Sequence, residues 1–401
     1  MDRSDFIKTV AQATVILGMP LGREQLGPNH STINDLSPTE TIPLSGRWRF
    51  HLDINNVGRE FTDWHQVDLN DQILLPGSTD EAEHGTKTTG PEFGHLSRKW
   101  RYEGAAWYQR TIEVPERWRG KRITLFLERP HWATTVWIGD QKIGTKNSLS
   151  VPHVYDLSTV LTPGSHQLTI RVDNSYRIDV GRNAHSVTDH TQTNWNGIVG
   201  RIELRMNDPV WIENVKAYPD LSKRRVLLKG TIYNTTGNPV DSQVQAVVTQ
   251  LGSGKQGAYK VSQQIGPVGE EKTFSINISL GDDIATWDEF SPNLYRAEVR
   301  LSADGGTYVH GFQTTFGMRE ISTDGTRFKM NDRPVFLRGT LECCIFPKTG
   351  YPPMDVAGWM KLFETAQTYG LNHFRFHSWC PPEAAFQAAD RMGFMLHIET
   401  P

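Results

Sequence analysis

The sequence changes its grammar once, near Pro334, and that change limits the folds open to it. Before Pro334 the apolar residues come in short alternating runs separated by Gly, Asn, Asp and Pro, the pattern of half-buried antiparallel strands. After it, strand-like runs alternate with helical ones. VFLRGT reads as a strand. Asp355 is placed to cap a helix whose apolar residues Val356, Trp359, Met360 and Phe363 fall at helical spacing, with Gly370 as its stop. LNHFRFHS is the next strand. Pro381 and Pro382 open a second helix, with Ala385, Phe386, Ala389 and Met392 on one face and Gly393 at its end, and FMLHIE is a third strand. Such alternation predicts parallel strands joined by right-handed crossovers.

Two folds begin this way. A dinucleotide-binding unit needs a Gly-rich turn directly after its first strand, where this chain reads LECCIFPKTGYPP, so no phosphate cradle and no cofactor are expected. A (β/α)8 barrel instead carries long individual loops at the carboxyl ends of its strands, where its chemistry sits. The barrel fits better. A whole barrel takes about 250 residues, whereas this sequence stops at Pro401 after three strands, so the expectation is an incomplete barrel with an open edge.

The preceding residues read as two all-β domains. From 42 to 207, runs such as ITLFLE, HQLTIRVDN and GRIELRM, with Gly139-Asp140 set for a tight hairpin turn, predict a jelly-roll-like β-sandwich. From 208 to 318, WIENVKAYP, RRVLLKGTIYN, DSQVQAVVTQ, EKTFSINISL, LYRAEVRLS and YVHGFQTTFG predict six or seven strands of an immunoglobulin-like sandwich without the antibody cysteine pair. Residues 319–401 hold a short hairpin and the barrel strands. Residues 1–41 read as leader and linker: Arg3, Ser4, Asp5, Phe6, Ile7 and Lys8 before the mildly apolar Thr9–Leu21 stretch have the order of a degraded twin-arginine signal, with a disordered leader as the other reading. Both an extracytoplasmic (periplasmic or secreted) and a cytoplasmic location stay open.

Composition removes several partners. A net charge of −3 with 22% charged residues argues against a phosphate-tracking protein, so nucleic acid is not expected. No apolar run reaches the roughly 20 residues that span a bilayer. Cys343, Cys344 and Cys380 are odd in number with two adjacent, which excludes a disulfide framework, and no second ligand pair stands at zinc spacing, so they read as buried thiols. No metal site is expected. His131, Trp132 and Trp137 in PHWATTVWIG read as alternating on one strand and packing in the sandwich. Asp189, His190, Gln192, Asn194, Trp195 and Asn196 crowd into TDHTQTNWNG, which suits recognition of sugar hydroxyls, with turn formation as the alternative. By barrel logic alone, Glu399 at the end of the third strand and Glu342 in the loop after the first, both at the catalytic face, would be an acid/base pair.

The domain order, together with TNWNGIVGRIEL, FLRGTLE and LNHFRFHSWCPPEAAFQAADRMGFMLHIE, resembles glycoside hydrolase family 2, the group of β-galactosidases, β-glucuronidases and β-mannosidases. The resemblance runs from about Ile42 to Pro401. It implies retaining hydrolysis of β-glycosidic bonds by two carboxylates about 5 Å apart, the acid/base Glu following an Asn at the end of the fourth barrel strand and the nucleophile lying near the seventh. With three strands present, no catalytic residue is assigned and the chain alone is expected to be inactive. Arg375 matches the Arg that hydrogen-bonds the nucleophile, a role suited to a permanently charged fork of donors, with a structural ion pair as the alternative. His377 is placed to donate to a hydroxyl and Trp379 to stack on a ring, or both pack the loop. Glu399 matches an acidic position of the substrate or cation environment, Glu342 is the other inward candidate, and the segment holding Asp189, His190, Asn194 and Trp195 reaches toward the barrel mouth. The implied partner is an oligo- or polysaccharide, of unspecified sugar and linkage. A free-standing carbohydrate-binding protein and a non-functional gene fragment are the competing readings.

Overall fold

The computed structural model describes residues 40–399 apart from 55–62, 91–92, 94–95, 97, 178–180, 182–186, 253–257 and 347. The leader reading of Arg3–Leu21 lies outside the described residues.

The first sandwich packs two sheets. One orders Glu40–Pro43, Gly197–Asn207, Arg122–His131 and His153–Asp156, with Gly77–Ser78 also pairing with Gly197–Asn207. The other orders Gln141–Asn147, Ala133–Ile138, Gly164–Asp173, Ala105–Val114, Gly46–Asp53 and Asp71–Leu75. Alternation decides the faces: Ile123, Leu125 and Leu127 point inward to meet Phe50, Tyr108, Leu168, Ile170 and Val172 in one core. At the hairpin, Ile138 pairs with Gln141 and Gly139 adopts φ +53°, a conformation that favours glycine. His131, Trp132 and Trp137 do not share a strand. His131 ends Arg122–His131 in one sheet, the chain turns at Trp132, and Trp137 lies on Ala133–Ile138 in the other.

The second sandwich sets Val210–Asp220, Arg225–Asn234 and Glu271–Ser279 against Ala258–Val268, Val240–Gln250, Tyr295–Ala303 and Tyr308–Phe316. Ala258–Val268 is the strand with no pattern to announce it. It occupies a sheet edge, where most of its residues stay exposed or half-exposed and alternation carries little signal.

A three-stranded antiparallel sheet, Ile321–Asp324, Arg327–Met330 and Arg333–Val335, leads into three parallel strands, Gly339–Glu342, His373–Phe376 and Met395–Ile398. VFLRGT is therefore not one strand: Val335 pairs with Phe328 in the antiparallel sheet, and the parallel strand begins at Gly339. Helix α1, Val356–Thr368, has the expected cap, with Asp355 Oδ1 accepting from the Gly358 N–H at 2.8 Å, and it buries Trp359, Phe363 and Ala366 while Met360 stays exposed. Helix α2, Glu383–Met392, turns Ala384, Ala385, Ala388 and Ala389 inward and leaves Phe386 outside. The small side chains let α2 lie close to the Phe374, Phe376 and Phe394 rings. Gly393 closes α2 at φ +69°, and a Cβ there would come within 2.9 Å of the Glu289 backbone, so the second sandwich also requires glycine at this point. No helix among the described residues is long and apolar enough to cross a membrane.

Candidate functional site

Strand register sets which side chains share a face. Leu341, Arg375 and His397 stand abreast, as do Glu342, Phe376 and Ile398 one residue on. Successive side chains alternate, and Phe376 is fully buried with the helices, so Arg375 points to the opposite, inner face. The same parity carries Glu399 to the inner side and Glu342 to the helix side. Glu342 is thus not an inward residue, and the two carboxylates do not face each other. Gly339 has no room for a side chain on its strand, since a Cβ would meet His373 Nδ1 at 2.4 Å.

At the carboxyl ends of the strands, Arg375 Nε donates to Glu399 Oε1 at 2.6 Å and a terminal guanidinium nitrogen contacts the same oxygen. Glu399 Oε2 accepts from the Ser378 N–H at 3.1 Å. Desolvation raises the Glu399 pKa, but the Arg375 hydrogen bond, the Ser378 N–H and the Arg375 and His377 charges outweigh it and hold the carboxyl below its ordinary range. His377 donates its N–H to the Glu342 carbonyl at 2.9 Å, and its Nδ1 lies 3.8 Å from Cys343 Sγ. Trp379 is buried and donates Nε1–H to that same carbonyl at 3.2 Å.

The Glu342 carboxyl is tied to the Cys344 N–H, at 3.1 and 3.0 Å from its two oxygens. Burial raises its pKa from 4.5 to about 7 against the pull of the Cys344 and Trp379 hydrogen bonds. A raised folded-state pKa means that folding favours the protonated form. The stability it confers is complete below 4.5 and is lost as pH rises through about 7. Glu342→Gln, a neutral isostere, is therefore expected to exceed the wild type at pH 8 by about 2 kcal/mol and to match it near pH 5. Urea midpoints that keep the same gap at both pH values would refute this.

In the first sandwich most of the polar run is spent internally. Arg98 reaches Asp80 Oδ2 and Asp189 Oδ2, each at 3.1 Å, and Asp189 Oδ1 accepts from the Asn194 N–H at 2.8 Å. Asn194 and Asn174 exchange two side-chain to backbone hydrogen bonds of 3.1 Å. Asn196 donates to the Gly104 carbonyl and accepts from the Tyr108 hydroxyl, both at 2.9 Å. Trp195 is buried, edge-on to His131 and tilted against Tyr351, whose hydroxyl donates to Glu81 Oε2 at 2.8 Å. His190 is half-buried. Gln192 is the member that reaches the barrel strands, its Nε2 standing 3.5 Å from the His377 carbonyl. Two arginines also bridge the seam: Arg129 donates to the Cys380 carbonyl at 2.9 Å, and Arg201 joins Glu128 to Glu383. Arg98, Arg129, Glu81 and Tyr351 carried no local motif, because the partners of each are distant in sequence. Among the described residues no group of three or more His, Cys, Asp or Glu is arranged to hold a metal ion.

Comparison with known proteins matches residues 42–207 to "Glycosyl hydrolases family 2, sugar binding domain" and residues 210–319 to "Glycosyl hydrolases family 2". A β-glucuronidase of Paenibacillus borealis is 23% identical over 384 residues, which cover 92% of this chain and 60% of that protein. A β-galactosidase of Thermoanaerobacterium thermosulfurigenes is 23% identical over 322 residues, 77% of this chain and 41% of that one. The Ruminococcus gnavus β-glucuronidase bound to D-glucuronic acid shares the fold with a TM-score of 0.70 at 19% identity, over 91% of this chain and 60% of its own. The Bacteroides uniformis β-glucuronidase does so with a TM-score of 0.71 at 18% identity, over 90% and 42%. The chain spans 60% or less of the length of each of these relatives. Since the two family descriptions fall on the two sandwiches and together take in more than half of its residues, the chain belongs to glycoside hydrolase family 2.

Proposed function

We propose that these residues form the sugar-recognition side of a retaining β-glycosidase that acts on oligo- or polysaccharides. The observation that carries this reading is the Arg375–Glu399 pair at the ends of parallel strands, beside His377. The Arg375 side chain is 52% exposed, so its remaining N–H groups are open to a ligand hydroxyl or carboxylate. In this reading Arg375, His377 and Glu399 meet the sugar, and Trp379 and Glu342 hold the rim from behind. Asp189, Asn194 and Trp195 brace the segment from which Gln192 reaches across, and half-buried His190 adds a polar group beside them.

The nucleophile and acid/base carboxylates belong to further barrel strands of a longer protein. Glu342 and Glu399 are poor candidates, since a retaining pair must flank one bond at about 5 Å and these two occupy opposite faces, each tied to a backbone N–H. The opposite-face placement also favours a second reading, a carbohydrate-binding protein without catalysis.

Nitrophenyl β-glucuronide and β-galactoside test both parts. The 401-residue chain should show no turnover, and calorimetry should show saturable binding of one β-glycoside that Arg375→Met weakens about tenfold. Hydrolysis abolished by Glu342→Gln and by Glu399→Gln would reverse the assignment of the carboxylates. Sugar affinity indifferent to Arg375→Met would reverse that of the rim. Sugar binding without hydrolysis in a chain extended by a full barrel would select the second reading.

A further inference from the structure

The loop after the first parallel strand has a second side. Between it and the first sandwich lies a pocket of about 630 Å³, walled by Pro76 and Val199 from the sandwich and by Phe346, Tyr351, Pro353 and Met354 from the loop. That size is within the roughly 300–1,000 Å³ of small-molecule sites, which favour seams between domains. None of Arg375, His377 or Glu399 lines it.

The walls are fixed in advance. Trp359 Nε1 donates to the Pro353 carbonyl at 2.7 Å, the Gly350 N–H donates to the Phe346 carbonyl at 2.7 Å, and the Tyr351 hydroxyl is held by Glu81. The space depends on glycine at 200, where φ is +75° and a Cβ would lie 2.7 Å from Met354 Cε. An opening so braced loses little entropy on binding.

Its rim carries a charge. Lys348 lines the pocket and is exposed, and among the described residues no carboxylate stands within ion-pair range of it. The other charged lining residue, Asp355, is spent on the N-terminus of α1, where Oδ1 accepts from the Gly358 N–H and the helix dipole offsets the negative charge. Apolar walls below one uncompensated ammonium complement a molecule with an apolar ring and a single negative charge. We propose that this pocket binds a free arylalkanoate, an aromatic ring bearing a carboxylate on a short alkyl chain, at a site separate from the sugar rim.

Calorimetric titration with 3-phenylpropionate and its neutral analogue 3-phenylpropanol tests the assignment. Wild-type protein should bind the acid saturably. Lys348→Met should weaken the acid about tenfold and change the alcohol by less than about twofold, since only the acid pairs with the ammonium. Met354→Trp, which fills the space, should remove both heats. Absence of saturable binding to wild type, unchanged acid affinity in Lys348→Met, or acid binding by a natively folded Met354→Trp protein would each overturn the proposal. If Met354→Trp does not fold, the Lys348→Met comparison decides alone, because Lys348 is exposed and its replacement leaves the fold intact.

Discussion

Replacing Arg98 with Met is expected to lower the stability of the first sandwich by about 3–5 kcal/mol, because it leaves two buried carboxylates without their shared cation. The Arg98 side chain is 4% exposed, and those of Asp80 and Asp189 are 10% and 7%. Burial already raises the Asp80 pKa from 3.8 to about 6 despite Arg98, and the Asp189 charge adds to the rise. With the guanidinium gone, desolvation and repulsion are opposed on the Asp189 side only by the Asn194 N–H and by half-exposed Arg101, whose Nε stands 3.8 Å from Asp189 Oδ2. The sign of the pH effect follows. The folded state prefers protonated Asp80, so the deficit of Arg98→Met should be largest at pH 8 and should shrink toward pH 5 as that carboxyl takes up its proton. Neutralising the whole set, Asp80→Asn with Arg98→Met and Asp189→Asn, should recover most of the loss, since removing all three charges removes the desolvation cost as well. Urea unfolding followed by circular dichroism measures each case. A loss under about 1 kcal/mol for the single variant, or a triple variant no better than the single, would show that the triad is not a buried charge cluster in solution.

The loss should also spread to the segment that approaches the barrel strands. Asp189 accepts from the Asn194 N–H through its carboxylate and from the Leu96 N–H through its carbonyl, and Trp195 follows directly to pack against Tyr351. The residues that read from sequence as a hydroxyl-binding cluster are, in the fold, what fixes where Gln192 and the loop after the first parallel strand stand. Polar density in a sequence marks a place where many hydrogen bonds are made. It does not say whether the partner is a ligand or the protein's own backbone, and here Asn174, Gly104 and Arg98 take that part from elsewhere in the chain.

What could be read without coordinates follows the range of the signal. Helix α1 was legible from Asp355 to Gly370 because cap, period and stop all lie within one short stretch. The inner face of α2 was not, because choosing the largest apolar residue puts Phe386 inside, whereas close approach to Phe374 and Phe376 selects alanine. Ala258–Val268 was hidden by its edge position, and the crossing at Trp132 by a sequence that alternates straight through it. Arg375 and Glu399 were legible as strand-end residues, and their pairing follows from register. Ending the first strand at Thr340, as VFLRGT suggests, leaves Glu342 in a loop where strand parity does not apply, although it is the last paired residue of Gly339–Glu342. Once Gly339 is the first paired residue, Glu342 stands beside Phe376 and must face the helices.

Trp359→Ala is expected to cost about 3–5 kcal/mol, and the damage should be confined to the parallel strands and their helices. Trp359 is fully buried and lies within 6.4 Å, centroid to centroid, of Phe346, Phe363, Phe376 and Trp379. Its loss opens a cavity at the centre of the cluster and leaves the Pro353 carbonyl without the Nε1–H that satisfies it. Trp359→Phe keeps most of the ring and forfeits mainly that hydrogen bond, so about 1–3 kcal/mol is expected for it. The two sandwiches have cores of their own, so hydrogen exchange should speed up across residues 339–399 and hold steady in strands such as Gly164–Asp173. The boundary should not be perfectly sharp. Trp287 of the second sandwich donates to the Asp390 carbonyl at 2.7 Å, and Asn372 donates to Glu289 at 2.6 Å, so amides near those anchors should exchange faster as well. Uniform acceleration through both sandwiches would mean that the three parallel strands have no separate cooperativity. The alternative to such a uniform response is a small hydrophobic core that holds Arg375 and Glu399 at their strand ends through Phe376 and Trp379, in which case weakening that core should loosen their pairing before it unfolds anything else.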